Sequence, residues 1–218
     1  MQISKIKEIL RISYELWLSH IGSNLSCLSV LEEIYKKKKQ GDIVILDNAH
    51  AGLAHLVMES EYLNFPIGEV STLIKKYGIH CDRQAGCDAS GGSLGHGLGI
   101  GIGYAISDRK RSVYVIVSDG SMHEGSNWEA LRIKKSLELE NLHIYANFNG
   151  YTAVDEINKM QLETRIKSFD DTVEFRYTTN GISFLNGING HYDVLTEETY
   201  NKAFAELEYN ERIARDLT

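Results

Sequence analysis

The sequence predicts an α/β fold, a three-layer, doubly wound and mostly parallel sheet. Three observations carry that reading. Val113 to Val117 is an apolar, β-branched run that stops in the polar turn Ser118-Asp119-Gly120, as a buried parallel strand does. Residues 123–137 follow with a helical pattern. Residues 142–147 then repeat the strand pattern and run into Asn149-Gly150. This strand-helix-strand order puts Asp119 and Asn149 at the carboxyl ends of consecutive strands, the edge where open α/β sheets bind ligands.

The remaining elements follow in chain order. Residues 3–17 carry Ile3, Ile6, Ile9, Leu10, Ile12, Ser13, Leu16 and Trp17 at the spacing of an amphipathic helix. A second helix is expected over 24–38, with Asn24 or Ser26 near its cap. The lysine run Lys36 to Lys39 lies at its C-terminal end, where cations suit the helix dipole, and reads as a solvated face. Asp42 to Leu46 reads as a short strand. Helices are expected near 49–59 and 68–77, and Pro66 suits the start of the latter. Gly91, Gly95, Gly99 and Gly103 are four apart, so a helix over 91–103 would align them on one face. Each interior glycine costs about 1 kcal/mol relative to alanine, so such a helix implies another backbone close by. Leu94, Leu98, Ile100 and Ile102 favour a packed helix over a loop. The spacing misses G-x-G-x-x-G, which argues against a dinucleotide fingerprint. With no repeat or linker, residues 1–218 read as one domain.

Composition bounds the function. A chain of 218 residues with 43% hydrophobic content can bury a full α/β core. A net charge of −7 argues against a nucleic-acid surface. No apolar run reaches transmembrane length, and the mixed-charge start is not a signal peptide, so a cytoplasmic protein is expected. Cys27, Cys81 and Cys87 are odd in number and lack CxxC spacing, pointing to a reducing compartment and away from zinc. The Asp119 carboxylate, the Asn149 amide oxygen and a nearby main-chain carbonyl make an oxygen set suited to Mg²⁺ or Ca²⁺. No lysine or arginine lies in the adjacent turns, so an anionic diphosphate would need that cation as a bridge. Gly120 lets a phosphate approach the backbone, and the next helix offers N–H groups and a positive dipole end. Either turn alone is an ordinary Asp-Gly or Asn-Gly turn; their joint spacing and strand contexts make them a candidate site.

That spacing resembles the thiamine-diphosphate motif, in which the Asp, the Asn and a carbonyl two residues on hold the metal; here the carbonyl would be that of Tyr151. Four further segments resemble transketolases. SHIGSNLSCLSVLEEIY is similar to their SGHPGGSLS segment, and VILDNAHAG to L-S-K-G-H-A. IHCDRQAGCDASGGSLGHGLGIGIGYA is similar to G-H-P-E…STGSLGQGLSVAVGMA. NGISFLNGINGHYDVLTEETYNKAF is similar to the segment that ends their first domain. The chain therefore resembles the N-terminal, diphosphate-binding half of transketolase, made as a separate subunit.

The resemblance implies thiamine diphosphate and Mg²⁺ (or Ca²⁺) as cofactors, and transfer of a two-carbon ketol unit from a ketose to an aldehyde. His20 and His80 would contact the donor hydroxyls, and His50 and His191 the thiazolium, diphosphate and reacting oxygens. Imidazoles suit proton movement on and off a carbonyl or alkoxide near neutral pH. Gly92, Ser93 and Leu94 would touch the aminopyrimidine, Gly120 and Ser121 the diphosphate. Glu124 would join cofactor sites across the assembly, and Glu129 matches a further acid with a surface or supporting role. The partner would be a C-terminal transketolase subunit in a heterotetramer acting on sugars or sugar phosphates. Two other readings use different chemistry: an acyloin-forming or 2-oxo acid decarboxylating subunit, and a degenerate, non-catalytic one. The histidine set disfavours the former, the retained Asp119 and Asn149 the latter. The departures are Ile21 for proline, Ala49 for glycine, His96 for glutamine, Ser118 for the first glycine of Gly-Asp-Gly, a stretch between Asn149 and the final motif that looks one β-α unit short, and the lack of I-D-G from Tyr151 onward.

Overall fold

The computed structural model describes residues 3–216. Strands β1 (Ile43–Leu46), β2 (Val113–Ser118), β3 (Leu142–Phe148) and β4 (Glu174–Tyr177) form one parallel sheet in the order β1-β2-β3-β4. Ile43 registers with Val113, Val113 with Leu142, and Tyr145 with Glu174, so the carboxyl ends share one edge. The helices are α1 (Ile3–Glu15), α2 (Ile21–Lys37), α3 (Gly52–Tyr62), α4 (Ile67–Tyr77), α5 (Gly97–Ser107), α6 (Gly125–Ser136), α7 (Lys159–Phe169), α8 (Asn189–Tyr192) and α9 (Glu197–Asp216).

Side chains alternate across a strand, and here both faces are buried. Val44, Leu46, Tyr114, Ile116 and Tyr145 pack with α1, α2, α3 and α9. Ile43, Ile45, Val115, Ile144 and Phe148 pack with α5, α6 and α7. The result is the three layers expected, and double-sided burial is why the strands read as unbroken apolar runs. The edge of β1 is covered where Asp88 Oδ2 accepts the Val44 N–H at 2.7 Å. Beyond β4 the chain passes to a 3-10 turn, Ser183–Leu185, and to α8 with no further strand among the described residues. The stretch between Asn149 and Asn180, expected from the sequence to be one β-α unit short, holds α7 and β4. No helix among the described residues is long and apolar enough to cross a membrane.

Several boundaries differ from the sequence pattern. α1 stops at Glu15 because Trp17 turns left-handed (φ 55°) and stays exposed. α2 starts at Ile21, earlier than expected, because His20 takes the cap position (φ 59°). Asn24 is not its cap; it lies inside the first turn and reaches sideways. Lys38 is no solvated lysine: its Nζ stacks 4.0 Å over the Tyr62 ring. The glycine helix over 91–103 is corrected most. Only α5, from Gly97, is helical, and Gly91 and Gly95 lie in a preceding loop, Gly95 with φ 86°.

Candidate functional site

β2 and β3 end in register, Ser118 opposite Asn147, so the residues that follow them converge at the sheet edge. Asp119 is fully buried. Its Oδ2 accepts the N–H groups of Asn149 (2.9 Å) and Gly150 (3.2 Å). Its Oδ1 is buried with no hydrogen-bond partner among the described residues. Burial pushes this carboxyl up to about 6, against the pull of the backbone N–H groups. A buried acid with one empty oxygen fits a cation. Asn149 Oδ1 accepts the Tyr151 N–H at 2.9 Å, which fixes its amide and leaves a second lone pair. Tyr151 opens a tight reversal in which Ile157 N–H returns to the Gly150 carbonyl at 2.8 Å. Ser118, where glycine was anticipated, uses its hydroxyl to accept the Ser121 N–H at 3.2 Å and so holds the turn. A Cβ on Gly120 would meet Leu94 at 3.2 Å, so this turn and the glycine loop close on one another.

The histidines meet in the same cavity, about 240 Å³ and lined by His20, His50, His80, His191, Gly120 and Asn149 among others. The rings of His20 and His50 are tilted against each other with centroids 4.8 Å apart, and the His191 ring lies 5.9 Å from both. Backbone contacts join residues distant in sequence. The His20 N–H donates to the His191 carbonyl at 2.9 Å. Asn24 Nδ2 bridges the carbonyls of His20 and His50 at 3.0 and 3.1 Å. Ser23 Oγ lies 3.0 Å from His191 Nδ1 and fixes that ring. α2 and α8 approach so closely that a Cβ on Gly22 would sit 3.2 Å from the Gly190 Cα.

Burial lowers His20, helped by His80, and lowers His191, helped by His20. Burial and the three neighbouring imidazoles push His50 down to about 3. These rings are neutral near pH 7, so each can donate at one nitrogen and accept at the other. His50 is expected to remain neutral as the pH falls from 7 to 5, where a free imidazole, with a pKa of about 6.5, would protonate. Its folded value is depressed, so its contribution to stability is present above about pH 6.5 and lost as the pH falls toward 3. A ¹⁵N NMR titration checks this; protonation of His50 near 6.5 would contradict the buried cluster.

The sequence reading missed Asp47, at the end of β1. It is buried and accepts Gly95 N–H (2.9 Å), Gly97 N–H (2.5 Å) and Asn127 Nδ2 (3.2 Å). Gly97 has no room for a side chain, since a Cβ would lie 2.6 Å from Asp47 Cα. Asp47 thus fixes the loop carrying Gly92, Ser93 and Leu94, of which Gly92 and Ser93 are exposed and Leu94 half-buried. Asp47→Ala strands the buried N–H groups of Gly95 and Gly97, leaves Asn127 Nδ2 only the Ser121 carbonyl, and is expected to cost about 3 kcal/mol of folding stability. Urea denaturation reads that loss; an unchanged midpoint would contradict it. Ser121 is buried and Glu124 exposed, the latter packed on the loop where a Gly95 Cβ would meet its Cβ at 2.6 Å. Glu129 points away and pairs with Arg132 on the α6 surface.

A cation absent from the neighbouring turns does reach the site. Lys159, in the first turn of α7, brings its Nζ to 3.6 Å from where a Gly150 Cβ would stand. Its charge pulls the Asp119 carboxyl down, opposing burial. No local sequence pattern joins Lys159 to Gly150; only the fold does.

Compared with known proteins, residues 4–188 match the family described as 1-deoxy-D-xylulose-5-phosphate synthase. The chain is 28% identical to one of the subunits of the apulose-4-phosphate transketolase of Phocaeicola vulgatus, over 96% of this chain and 92% of that protein. It is 27% identical to the 6-deoxy-6-sulfo-D-fructose transketolase subunit SqwG of a Clostridium species, over 89% and 90%. Its fold superposes on transketolase from Campylobacter jejuni with a TM-score of 0.73 at 15% identity, covering 95% of this chain and 43% of that one. For transketolase from Leishmania mexicana the TM-score is 0.71 at 17% identity, with 95% and 41% covered. The chain thus spans about two fifths of those transketolase chains.

Proposed function

The chain belongs to the 1-deoxy-D-xylulose-5-phosphate synthase and transketolase family, and from that membership we propose that it is the diphosphate-binding subunit of a two-chain transketolase. The observation that carries this is the buried Asp119, one oxygen without a partner among the described residues, in a cavity shared with His20, His50, His80 and His191. The family description names a synthase. The relatives that span nearly the whole chain are named as transketolase subunits, and the histidine cluster suits sugar hydroxyls, so ketol transfer is our reading.

In this reading Asp119 Oδ1, Asn149 Oδ1 and the Tyr151 carbonyl would hold Mg²⁺ or Ca²⁺, whose charge would offset that of the diphosphate of thiamine diphosphate. Gly120 leaves room for the phosphates beside the N–H groups of the Ser121 turn, and Lys159 adds positive charge. Gly92, Ser93 and Leu94 would touch the aminopyrimidine. The cofactor, when bound, supplies the carbon nucleophile. His50 and His191, neutral and held from behind by Asn24 and Ser23, orient the reacting oxygens and hold or release their protons. His20 and His80 bind the donor hydroxyls. Glu124, exposed on α6's leading edge, faces the rest of the assembly, which we read as a heterotetramer with a C-terminal transketolase subunit. The relatives' names point to a ketose with an anionic tail as the donor class. The whole chain serves as one diphosphate-type domain, and a cytoplasmic setting fits its phosphorylated or sulfonated substrates.

The test is co-expression with the partner subunit, followed by a screen of anionic ketose donors against aldehyde acceptors, with and without EDTA. Two-carbon transfer that EDTA abolishes and Mg²⁺ restores is expected. His20→Ala and His80→Ala should each lower kcat/KM for the donor by roughly 10- to 100-fold, about 1.4–2.8 kcal/mol, with little change in cofactor affinity. Wild-type donor kinetics in both variants would remove these two histidines from the donor site.

A further inference from the structure

Behind the histidine cavity lies a second cluster, buried and built from different residues. His55 of α3 and Cys81 and Cys87 of the loop before α5 expose 0%, 4% and 4% of their surfaces. One donor atom from each lies within 4.8 Å of the others. His55 Nδ1 is 3.6 Å from Cys81 Sγ. Around a tetrahedral zinc ion, with bonds of about 2.0 Å to nitrogen and about 2.3 Å to sulfur, the nitrogen–sulfur edge is about 3.5 Å. The observed separation, that of a hydrogen bond between thiol and imidazole, is also that of two ligands sharing one ion.

The surroundings complete the arrangement. His55 Nε2 has no hydrogen bond among the described residues and faces Glu59 Oε1 at 3.5 Å. A carboxylate behind a ligating imidazole fixes its tautomer and turns the other nitrogen's lone pair toward the metal. Glu59 is itself held by the Tyr35 hydroxyl, which donates to it, and by Lys38 at 4.0 Å. Buried cysteines can pack as small apolar groups. Packing alone does not explain an imidazole set against two thiols with its far nitrogen on a carboxylate. Two thiolates and an imidazole, with one non-protein position, form a ligand set that zinc accepts. We propose that His55, Cys81 and Cys87 bind a zinc ion, separate from any cation at Asp119 and independent of the reading above.

Its place in the fold gives it a structural task. Cys81 follows His80 directly. Its N–H donates to the Ala49 carbonyl at 3.0 Å, and its carbonyl accepts the Gly91 N–H at 2.9 Å. A Cβ on Gly52, in the first turn of α3, would lie 2.4 Å from the Ile79 carbonyl. Zinc at this point ties the His80 loop, the turn carrying His50 and the start of the glycine loop to α3. The two cysteines lack CxxC spacing and the histidine is remote in sequence, which is why the cysteine pattern argued against zinc.

The experiment is metal analysis of the full chain purified without chelator from zinc-supplemented cells, followed by exchange with Co²⁺. One zinc per chain that survives dialysis is expected, with a thiolate-to-cobalt charge-transfer band after exchange. Cys81→Ser and Cys87→Ser should lose both, while His191→Ala, which alters the other histidine cluster, should keep them. A zinc-free chain that takes up no Zn²⁺ would overturn the proposal. So would metal that leaves with His191→Ala but not with the cysteine variants, or a Cys81–Cys87 disulfide in the purified chain. Should the cysteine variants not fold, the wild-type cobalt spectrum decides: no thiolate band, no site.

Discussion

Asp119→Asn is expected to weaken Mg²⁺-dependent binding of thiamine diphosphate to the assembled enzyme by about 100-fold or more, without unfolding the chain. Loss of a residue that merely supports a metal ligand costs roughly 10- to 100-fold in affinity, and here the anionic ligand itself is replaced. The variant separates function from stability. Asp119 Oδ2 accepts two backbone N–H groups, and an amide oxygen preserves that role, whereas alanine would strand both donors. Meanwhile the buried carboxyl is raised to about 6. A folded value above the unfolded one means that the favourable, protonated contribution is present below about pH 4 and lost as the pH rises through about 6. Above that, holding the bare carboxylate in place costs the metal-free chain about 2–3 kcal/mol. Asp119→Asn removes that cost, so the metal-free variant should melt no lower than wild type at pH 8 while failing to bind cofactor. Calorimetry and thermal melts on the same preparations read both effects. Equal cofactor affinity with or without EDTA, or in Asp119→Asn, would remove the metal from the site.

The sheet edge was legible in the sequence because its signals are local. Val113–Val117 and residues 142–147 are apolar runs closed by polar turns, and burial on both faces of a parallel sheet requires that pattern. The convergence of His20, His50, His80 and His191 came from motif resemblance, and no periodicity places them together; the contacts that do so are the His20–His191 backbone bond and the Asn24 bridge. Asp47 escaped notice for a similar reason. An aspartate ending a strand looks like a turn residue, and its three partners lie about fifty to eighty positions away. Lys159 was invisible because its neighbour Gly150 is met only through the reversal after Tyr151. The glycine helix was misread because four-residue spacing is blind to a loop. Gly97 and Gly101 face the sheet, where a Gly101 Cβ would meet Val115 at 2.5 Å, while Gly99 and Gly103 have no neighbour within 4 Å among the described residues. The tight approach is internal, and the other glycine face is left open.

That open face, with the exposed Glu124 and the exposed Ile106 beside it, is where the proposal is most exposed to refutation. Activation of the thiazolium in this family uses a glutamate on the pyrimidine-binding domain, as the resemblance implies. The described residues form one sheet of four strands, the part that the proposed reading assigns to the diphosphate. This chain should then supply the metal ligands and the histidines but not the group that activates the cofactor. The direct measurement is an assay of the isolated, monodisperse chain with thiamine diphosphate, Mg²⁺ and several ketose–aldehyde pairs, beside the same chain mixed with its partner subunit. The account predicts no turnover from the chain alone and steady two-carbon transfer from the mixture; steady transfer by the isolated chain would contradict it.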